Sequence, residues 1–415
     1  MEKETISAKY LIETNYPLDE AAEMMAGEQS CGTFVRVPGE TDELRERAAA
    51  RVTAIEELGL VSAPSLAGAK VKNAKAPIRR ATVELEWPLA NVGVNLPNLM
   101  ATVAGNLFEL GAFSGMKLLD IDIPSSYSRY GGPQFGIRGT RALTAVHGRP
   151  VIGTIIKPSV GLSPQDTAQQ VHELSEAGID FIKDDELMGD APSSPFDQRV
   201  ERVMEVLNRY ADKTGKKPMF AFNVSGDIDD MRRRHDTVLA MGGTCLMVSI
   251  NHVGISGVVA LRKHSQLPIH GHRNFWGALS RHECLGVDFK AYQKIWRVAG
   301  VDHLHTNGLR NKFCESDESV VASINACLAP LLGGHEVMPV VSSGQWAGQA
   351  VDTYRAVGSV DMMYLCGGGI MAHPQGIAAG IRSVRQGWEA ALKGMTLADY
   401  AETHIELQQA MEMFG

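Results

Sequence analysis

No run of apolar residues in this chain of 415 reaches the ~20 that a membrane-spanning helix needs. The opening Met-Glu-Lys-Glu lacks the basic-then-apolar plan of a secretory signal, so a cytoplasmic protein is expected. No two of the six cysteines (Cys31, Cys245, Cys284, Cys314, Cys327 and Cys366) stand in a CxxC pair. That speaks against a zinc knuckle or a dithiol redox motif, and scattered thiols suit a reducing compartment. Positive charge is not in excess: 40 Lys and Arg face 48 Asp and Glu, a net charge of -8. A large nucleic-acid or anionic-membrane surface is therefore not expected, although a locally basic cleft for a small anion is still allowed.

What is present is ordinary globular material, 44% hydrophobic and 21% charged, long enough for two domains with one of them large. The first third reads as α+β. Residues 5–14 alternate as a strand, 18–28 form a short helix, and a strand runs from Thr33 to Val37. Pro38-Gly39 marks a turn, and 41–57 reads as a charged helix capped by Thr41. Residues 80–87 alternate again, and 96–110 look helical. The stretch 124–150, rich in Ser, Gly, Tyr and Pro, is the expected boundary between domains 1–130 and 131–415.

Beyond residue 150 short apolar runs alternate with amphipathic stretches. The runs are 151–158, 181–186, 219–225, 245–251, 268–273, 301–307, 337–344 and 361–369, with helices such as 163–177, 196–211 and 376–393 between them. This is the rhythm of a TIM barrel of about 250 residues. An open doubly wound sheet is disfavoured because no Gly-rich dinucleotide turn opens the first unit. The expected fold is α/β: a C-terminal (β/α)8 TIM barrel with an N-terminal ferredoxin-like α+β domain.

Several runs begin apolar and end polar. At the C-terminal face of a barrel, Lys157, Lys183, Asp185, Glu186, His270, His272, Arg273, His303, His305, Ser342, Ser343 and Gly367 to Gly369 would converge. Strand alternation turns Lys183 and Asp185 the same way. Two carboxylates suit magnesium, and a lysine adds oxygen ligands only as a carbamate, which requires a neutral amine. The alternative for this run is a solvated charge cluster, and for each histidine a hydrogen-bonded interior side chain. Arg273 suits two-point binding of phosphate or carboxylate. The Ser342-Ser343-Gly344 and Gly367-Gly368-Gly369 turns follow the seventh and eighth strands, where backbone N–H groups commonly bind phosphate.

The pieces GTIIKPSVGLS (153–163), GIDFIKDDE (178–186), IHGHR (269–273), VDHLHTN (301–307) and CGGGIMAHPQG (366–376) resemble the RuBisCO large-subunit superfamily. So do GEQSCGTF (27–34), VPGETDELR (37–45) and AGNLFEL (104–110), in the expected order along nearly the whole chain. The resemblance implies Mg2+ as cofactor, with CO2 carried as a carbamate on Lys183 and Asp185 and Glu186 completing the metal site. It implies Lys157 as the lysine that moves a proton at the substrate carbon, and His272 and Lys312 as further catalytic residues. Arg273 and His305 would hold one phosphate, and Ser342, Gly344, Gly367 and Gly368 would bind substrate oxygens and the other phosphate site. Glu28, Thr33 and Asn106 match residues that reach a neighbouring subunit's site, which implies a homodimer with shared active sites and room for a higher oligomer.

Two positions and one stretch depart from the carboxylating members: Ser159 replaces a second lysine, Phe34 replaces a tryptophan, and 307–313 alters the sixth loop while keeping Lys312. CO2 fixation is therefore not expected, and the chain resembles a RuBisCO-like protein (form IV). Magnesium-assisted enolate chemistry is the shared theme. The favoured reaction is decarboxylation of a phosphorylated 3-oxo sugar acid, of the 3-oxo-isoapionate 4-phosphate type, through an enediolate. Alternatives are the transcarboxylase/hydrolase of that substrate, the 2,3-diketo-5-methylthiopentyl-1-phosphate enolase and a methylthioribulose-phosphate isomerase. Asn106 stands where the enolase has lysine. A regulatory remnant is the reading without catalysis.

Overall fold

The computed structural model describes residues 4–32, 37–70 and 76–415. Thr33 and Phe34 lie outside the described residues, and with them most of the strand expected from Thr33. The chain forms two compact units, Met1–Tyr130 with Phe275–Val298, and Gly131–Asn274 with Ala299–Gly415.

In the first unit, strands β1 (Thr5–Thr14), β2 (Arg51–Val61), β3 (Ile78–Pro88) and β4 (Phe113–Asp122) lie in the order β4-β1-β3-β2, every pair antiparallel. Helices Leu18–Glu28 and Leu96–Ala104 make the two crossovers, which is the ferredoxin-like plan. The sheet holds because its central strands alternate strictly. Ile6, Ala8, Tyr10 and Ile12 of β1, and Ala81, Val83, Leu85 and Trp87 of β3, are at most 2% exposed. Burying a large side chain of this kind stabilises by about 1.5–3 kcal/mol. Tyr10 donates its buried hydroxyl to the Val103 carbonyl at 2.7 Å and ties β1 to the second crossover helix.

Two sequence expectations need correction here. The charged segment 41–57 is helical only over Asp42–Ala48, where Thr41 Oγ1 does accept from the Leu44 N–H at 3.2 Å. From Arg51 it is β2, paired with β3 from Arg51↔Glu86 to Val61↔Ile78. A full ladder outweighs the helical preference of Glu and Leu, and Val52, Thr53 and Ile55 are β-branched. The helix expected over 96–110 stops at Ala104, followed by a 3-10 turn at Asn106–Glu109. The segment Phe275–Val298 also joins this unit, because β10 (Leu285–Val287) pairs in parallel with β4.

The second unit is a closed barrel of β5 (Val151–Ile155), β6 (Phe181–Lys183), β7 (Met219–Asn223), β8 (Cys245–Ser249), β9 (Ile269–His272), β11 (His303–His305), β12 (Met338–Val341) and β13 (Met363–Leu365), all parallel. Each strand falls within one expected apolar run. Helices Pro164–Glu176, Phe196–Thr214 and Ile377–Leu392 fill the expected gaps, the first held by a Ser163/Asp166 capping box. Phe181, Met219, Met247, Met338, Val340, Met363 and Leu365 pack in one buried cluster. Gly153 makes this layer possible, since a Cβ there would lie 2.5 Å from Leu365 Cδ2 and 2.9 Å from Phe181 Cδ1. Among the described residues no helix is long and apolar enough to cross a membrane.

Candidate active site

Lys183 ends β6, in register with Ile155 and Ala221 and two residues beyond the barrel-filling Phe181. Its side chain is 1% exposed, with Nζ 2.9 Å from the Asp184 carbonyl and 3.3 Å from Glu186 Oε2. Burial lowers its pKa, against the pull of Glu186, Asp185 and Asp184. Glu186 is also 3.4 Å from His272 Nε2 at the end of β9. Burial alone would raise the Glu186 pKa, but His272 and Lys183 bring it down to about 2. Burial and Lys183 hold His272 at about 4 against Glu186. Asp185 accepts from Lys157 Nζ at 2.7 Å, and the same amine reaches Ser159 Oγ at 2.7 Å. Lys157–Asp185 and Lys183–Glu186–His272 are thus two bonded groups at three strand ends, adjacent along the 183–186 run and coupled by charge.

Alternation sends Asp184 the other way. Its Oδ2 accepts from Arg199 and from the Asn223 N–H, and neither Asp184 nor Arg199 has any exposed side-chain surface. Asn223, which ends β7, holds the run from below by donating Nδ2 to the Asp185 and Glu186 carbonyls at 3.3 and 3.2 Å. Arg199 and Asn223 are missing from the sequence reading. An asparagine ending an apolar strand was the signal for the second, and an arginine on the buried stripe of a helix the signal for the first.

Arg273 follows β9 and is 5% exposed, donating Nη2 to the Thr306 carbonyl and to Glu315, each at 2.8 Å. Glu315, also unanticipated, accepts from Asn307 Nδ2 as well. His305 meets His270 Nε2 through its own Nε2 at 2.8 Å and Ser342 Oγ through Nδ1 at 3.2 Å, so both ring nitrogens are engaged. Ser343 and Gly344 take positive φ (75° and 86°), and the Ser343 carbonyl accepts from the Lys312 N–H at 3.3 Å. Lys312 is exposed, its amine 5.3 Å from the Phe313 ring centre. Gly367 and Gly368 open the four-residue helix Gly368–Met371 directly after β13. In the first unit, Asn106 donates to Glu28 at 3.3 Å.

The donor set fits magnesium. Asp185 and Glu186 offer hard carboxylate oxygens, and the buried Lys183 amine, driven toward its neutral form, is the species from which a carbamate forms. One other group of possible ligands occurs among the described residues: His235, Asp236 and His264. There His235 Nε2 already accepts from the Gln266 N–H, so its Nδ1 carries the proton it shares with Asp236 and has no lone pair for a cation.

Residues 136–414 match the family described as ribulose bisphosphate carboxylase large chain, catalytic domain, and residues 2–127 match its N-terminal domain. The chain belongs to the RuBisCO large-chain family. This RuBisCO-like chain is 51% identical over 411 residues, 98% of its length and 99% of the relative's, to a 3-oxo-isoapionate-4-phosphate transcarboxylase/hydrolase of Xanthobacter autotrophicus. It is 45% identical over 415 residues, 99% of both chains, to a 3-oxo-isoapionate-4-phosphate decarboxylase of Rhizobium rhizogenes. A solved RuBisCO-like protein from Burkholderia fungorum superposes with a TM-score of 0.93 at 46% identity, covering 99% of this chain and 100% of that one.

The barrel histidines give the RuBisCO-like chain a pH signature. Burial holds His303 at about 3 and pushes His270 and His305 well below 6.5. In the unfolded chain each takes up a proton near pH 6.5. Below that pH the unfolded state binds more protons than the folded one, so stability falls on acidification. The slope is about 1.4 kcal/mol per pH unit for each histidine. Urea midpoints measured from pH 7 to pH 4 should fall, and His303→Asn should flatten the slope by about one proton. Parallel profiles for the variant and the parent would contradict this assignment.

Proposed function

We propose that this chain decarboxylates a phosphorylated 3-oxo sugar acid of the 3-oxo-isoapionate 4-phosphate type, and does not fix CO2. The observation that carries the reading is the Lys157–Asp185 and Lys183–Glu186–His272 cluster. It occurs in a chain 45% and 51% identical to relatives named for reactions of that substrate.

Asp185, Glu186 and carbamylated Lys183 would hold Mg2+, which supplies charge stabilisation for the oxyanion that develops at the 3-oxo group. The bond to the carboxylate carbon breaks, its electron pair stays on the neighbouring carbon, and CO2 leaves. Lys157, oriented by Asp185 and Ser159, then delivers a proton to that carbon. Ser159 adds a hydroxyl beside Lys157 where the carboxylating relatives have a second cation, which supports an altered reaction. His272, neutral near pH 7, is an acceptor or donor next to the same centre. Arg273, held by Glu315 and Thr306, and the Gly344, Gly367 and Gly368 backbone are the two candidate cradles for the single 4-phosphate and for the opposite end of the substrate. Lys312 would close over the carboxylate. Glu28, Thr33 and Asn106 are proposed to complete a partner's site in a homodimer.

The higher identity to the transcarboxylase/hydrolase keeps that reaction as a second reading. Incubation with 3-oxo-isoapionate 4-phosphate and Mg2+ separates them. Stoichiometric release of CO2 is expected, and chelation by EDTA should stop it. Substrate loss without CO2 would favour the hydrolase, and no substrate loss with metal present would sink both.

A further inference from the structure

Three imidazoles form an unbroken hydrogen-bonded line through the barrel. His303 Nδ1 is 3.3 Å from His270 Nδ1, and His270 Nε2 is 2.8 Å from His305 Nε2. At one end His303 Nε2 lies 2.8 Å from Thr140 Oγ1, and at the other His305 Nδ1 lies 3.2 Å from Ser342 Oγ. His270 and His303 have no exposed surface, and Thr140 is equally buried in the helix Gly136–Thr144. His303 begins β11 and Ser342 follows β12, so the line runs from the closed end of the barrel to its mouth.

One hydroxyl proton fixes the direction of all of it. Thr140 Oγ1 is 2.5 Å from the Gly136 carbonyl, which can only accept, so Thr140 spends its single proton there. It must then accept from His303 Nε2–H. A neutral His303 has no second proton, so its Nδ1 accepts from His270 Nδ1–H. By the same count His270 Nε2 accepts from His305 Nε2–H, and His305 Nδ1 accepts from the Ser342 hydroxyl.

We propose that Thr140, His303 and His270 are positioning residues that set the tautomer of His305 and so commit the Ser342 proton inward. Ser342 then shows the mouth only lone pairs and selects a donor, a hydroxyl of the substrate. It is not a ligand for phosphate or carboxylate oxygen. His305, with both nitrogens used along the line, serves this relay and does not grip a phosphate. The phosphate is left to Arg273 or the glycine backbones. The role given to Ser342 rests on reading this mouth as the substrate site, whereas the tautomer pattern does not.

The test is 15N NMR of the full-length protein labelled at histidine, which reads which ring nitrogen carries hydrogen. Wild type should show Nε2–H at His303, Nδ1–H at His270 and Nε2–H at His305, all neutral at pH 7. Thr140→Val removes the acceptor for His303, and a buried N–H without a partner is tolerated less than a bare lone pair. All three tautomers should therefore invert together, while Thr140→Ser keeps the wild-type pattern. Any other wild-type pattern, or an unchanged one in a folded Thr140→Val, overturns the proposal. The wild-type spectrum decides alone if that variant does not fold. Because the readout needs no turnover, failure of the decarboxylase reading and failure of the relay are separate results.

Discussion

Lys183→Ala is expected to lower turnover by about a thousandfold or more, the scale on which enzymes lose a preorganised charge-stabilising group. It should also remove measurable Mg2+ binding in calorimetry. The reason is electrostatic. On the proposed reading, a carbamate on Lys183 would add a third negative group beside Asp185 and Glu186, more charge than the Lys157 amine at Asp185 offsets, so carbamate and divalent cation would stabilise each other. The same coupling predicts that preincubation with both CO2 and Mg2+ activates the wild-type protein more than either alone. Lys183→Met separates chemistry from packing, because the buried Lys183 side chain reaches to 3.5 Å from Met247 Sδ and a methionine can fill the space of its stem. Both variants should stay folded by circular dichroism and both should be inactive. An active Lys183→Met protein would end the carbamate assignment.

The barrel was legible in the sequence because each strand carries its own signal. A run such as MFAFN is buried over its full length in a parallel sheet and reads as continuous apolar sequence. The ferredoxin-like unit was half legible. β1 and β3 alternate cleanly, but β2 is an edge strand with Leu58 51% and Leu60 63% exposed, so its pattern carries no buried face to detect. Its charged start looked helical, and only the ladder to β3 decides otherwise.

The convergence of the candidate residues on strand ends was legible because topology collects strand ends at one mouth. What could not be read was the support behind them. Asn223, Arg199 and Glu315 come from other strands, a helix and a loop, and their partners are 38, 15 and 42 positions away. The roles of His270 and His303 were undecidable from i,i+2 spacing. The contact that joins them to the rest of the barrel comes from Thr140, 163 residues from His303.

Asp184→Ala should be the most destabilising change near the site, costing about 3–5 kcal/mol, while its neighbour Asp185→Ala should cost far less. The two side chains differ in what each would abandon. Asp184 is fully buried against Arg199, a fully buried residue of the helix Phe196–Thr214 that also donates to the Ser194 hydroxyl and to the Ser194, Met188 and Gly189 carbonyls. Burial raises the Asp184 pKa, and the Arg199 charge and the Asn223 N–H are what oppose that rise. Removing it leaves a guanidinium with no counter-charge and no path to water, and it also frees the Asn223 N–H that fixes β7 beside β6. Asp185 pairs with Lys157, whose side chain is 41% exposed and can turn into solvent when its partner goes. The expected outcome is therefore crossed. Asp184→Ala lowers Tm by about 5 °C but keeps per-molecule activity in the folded fraction to within about tenfold. Asp185→Ala keeps Tm near wild type and loses activity with the metal. A Tm for Asp184→Ala within a degree or two of wild type would show that the run holds its shape without the buried pair, and that the division of labour between adjacent aspartates is wrong.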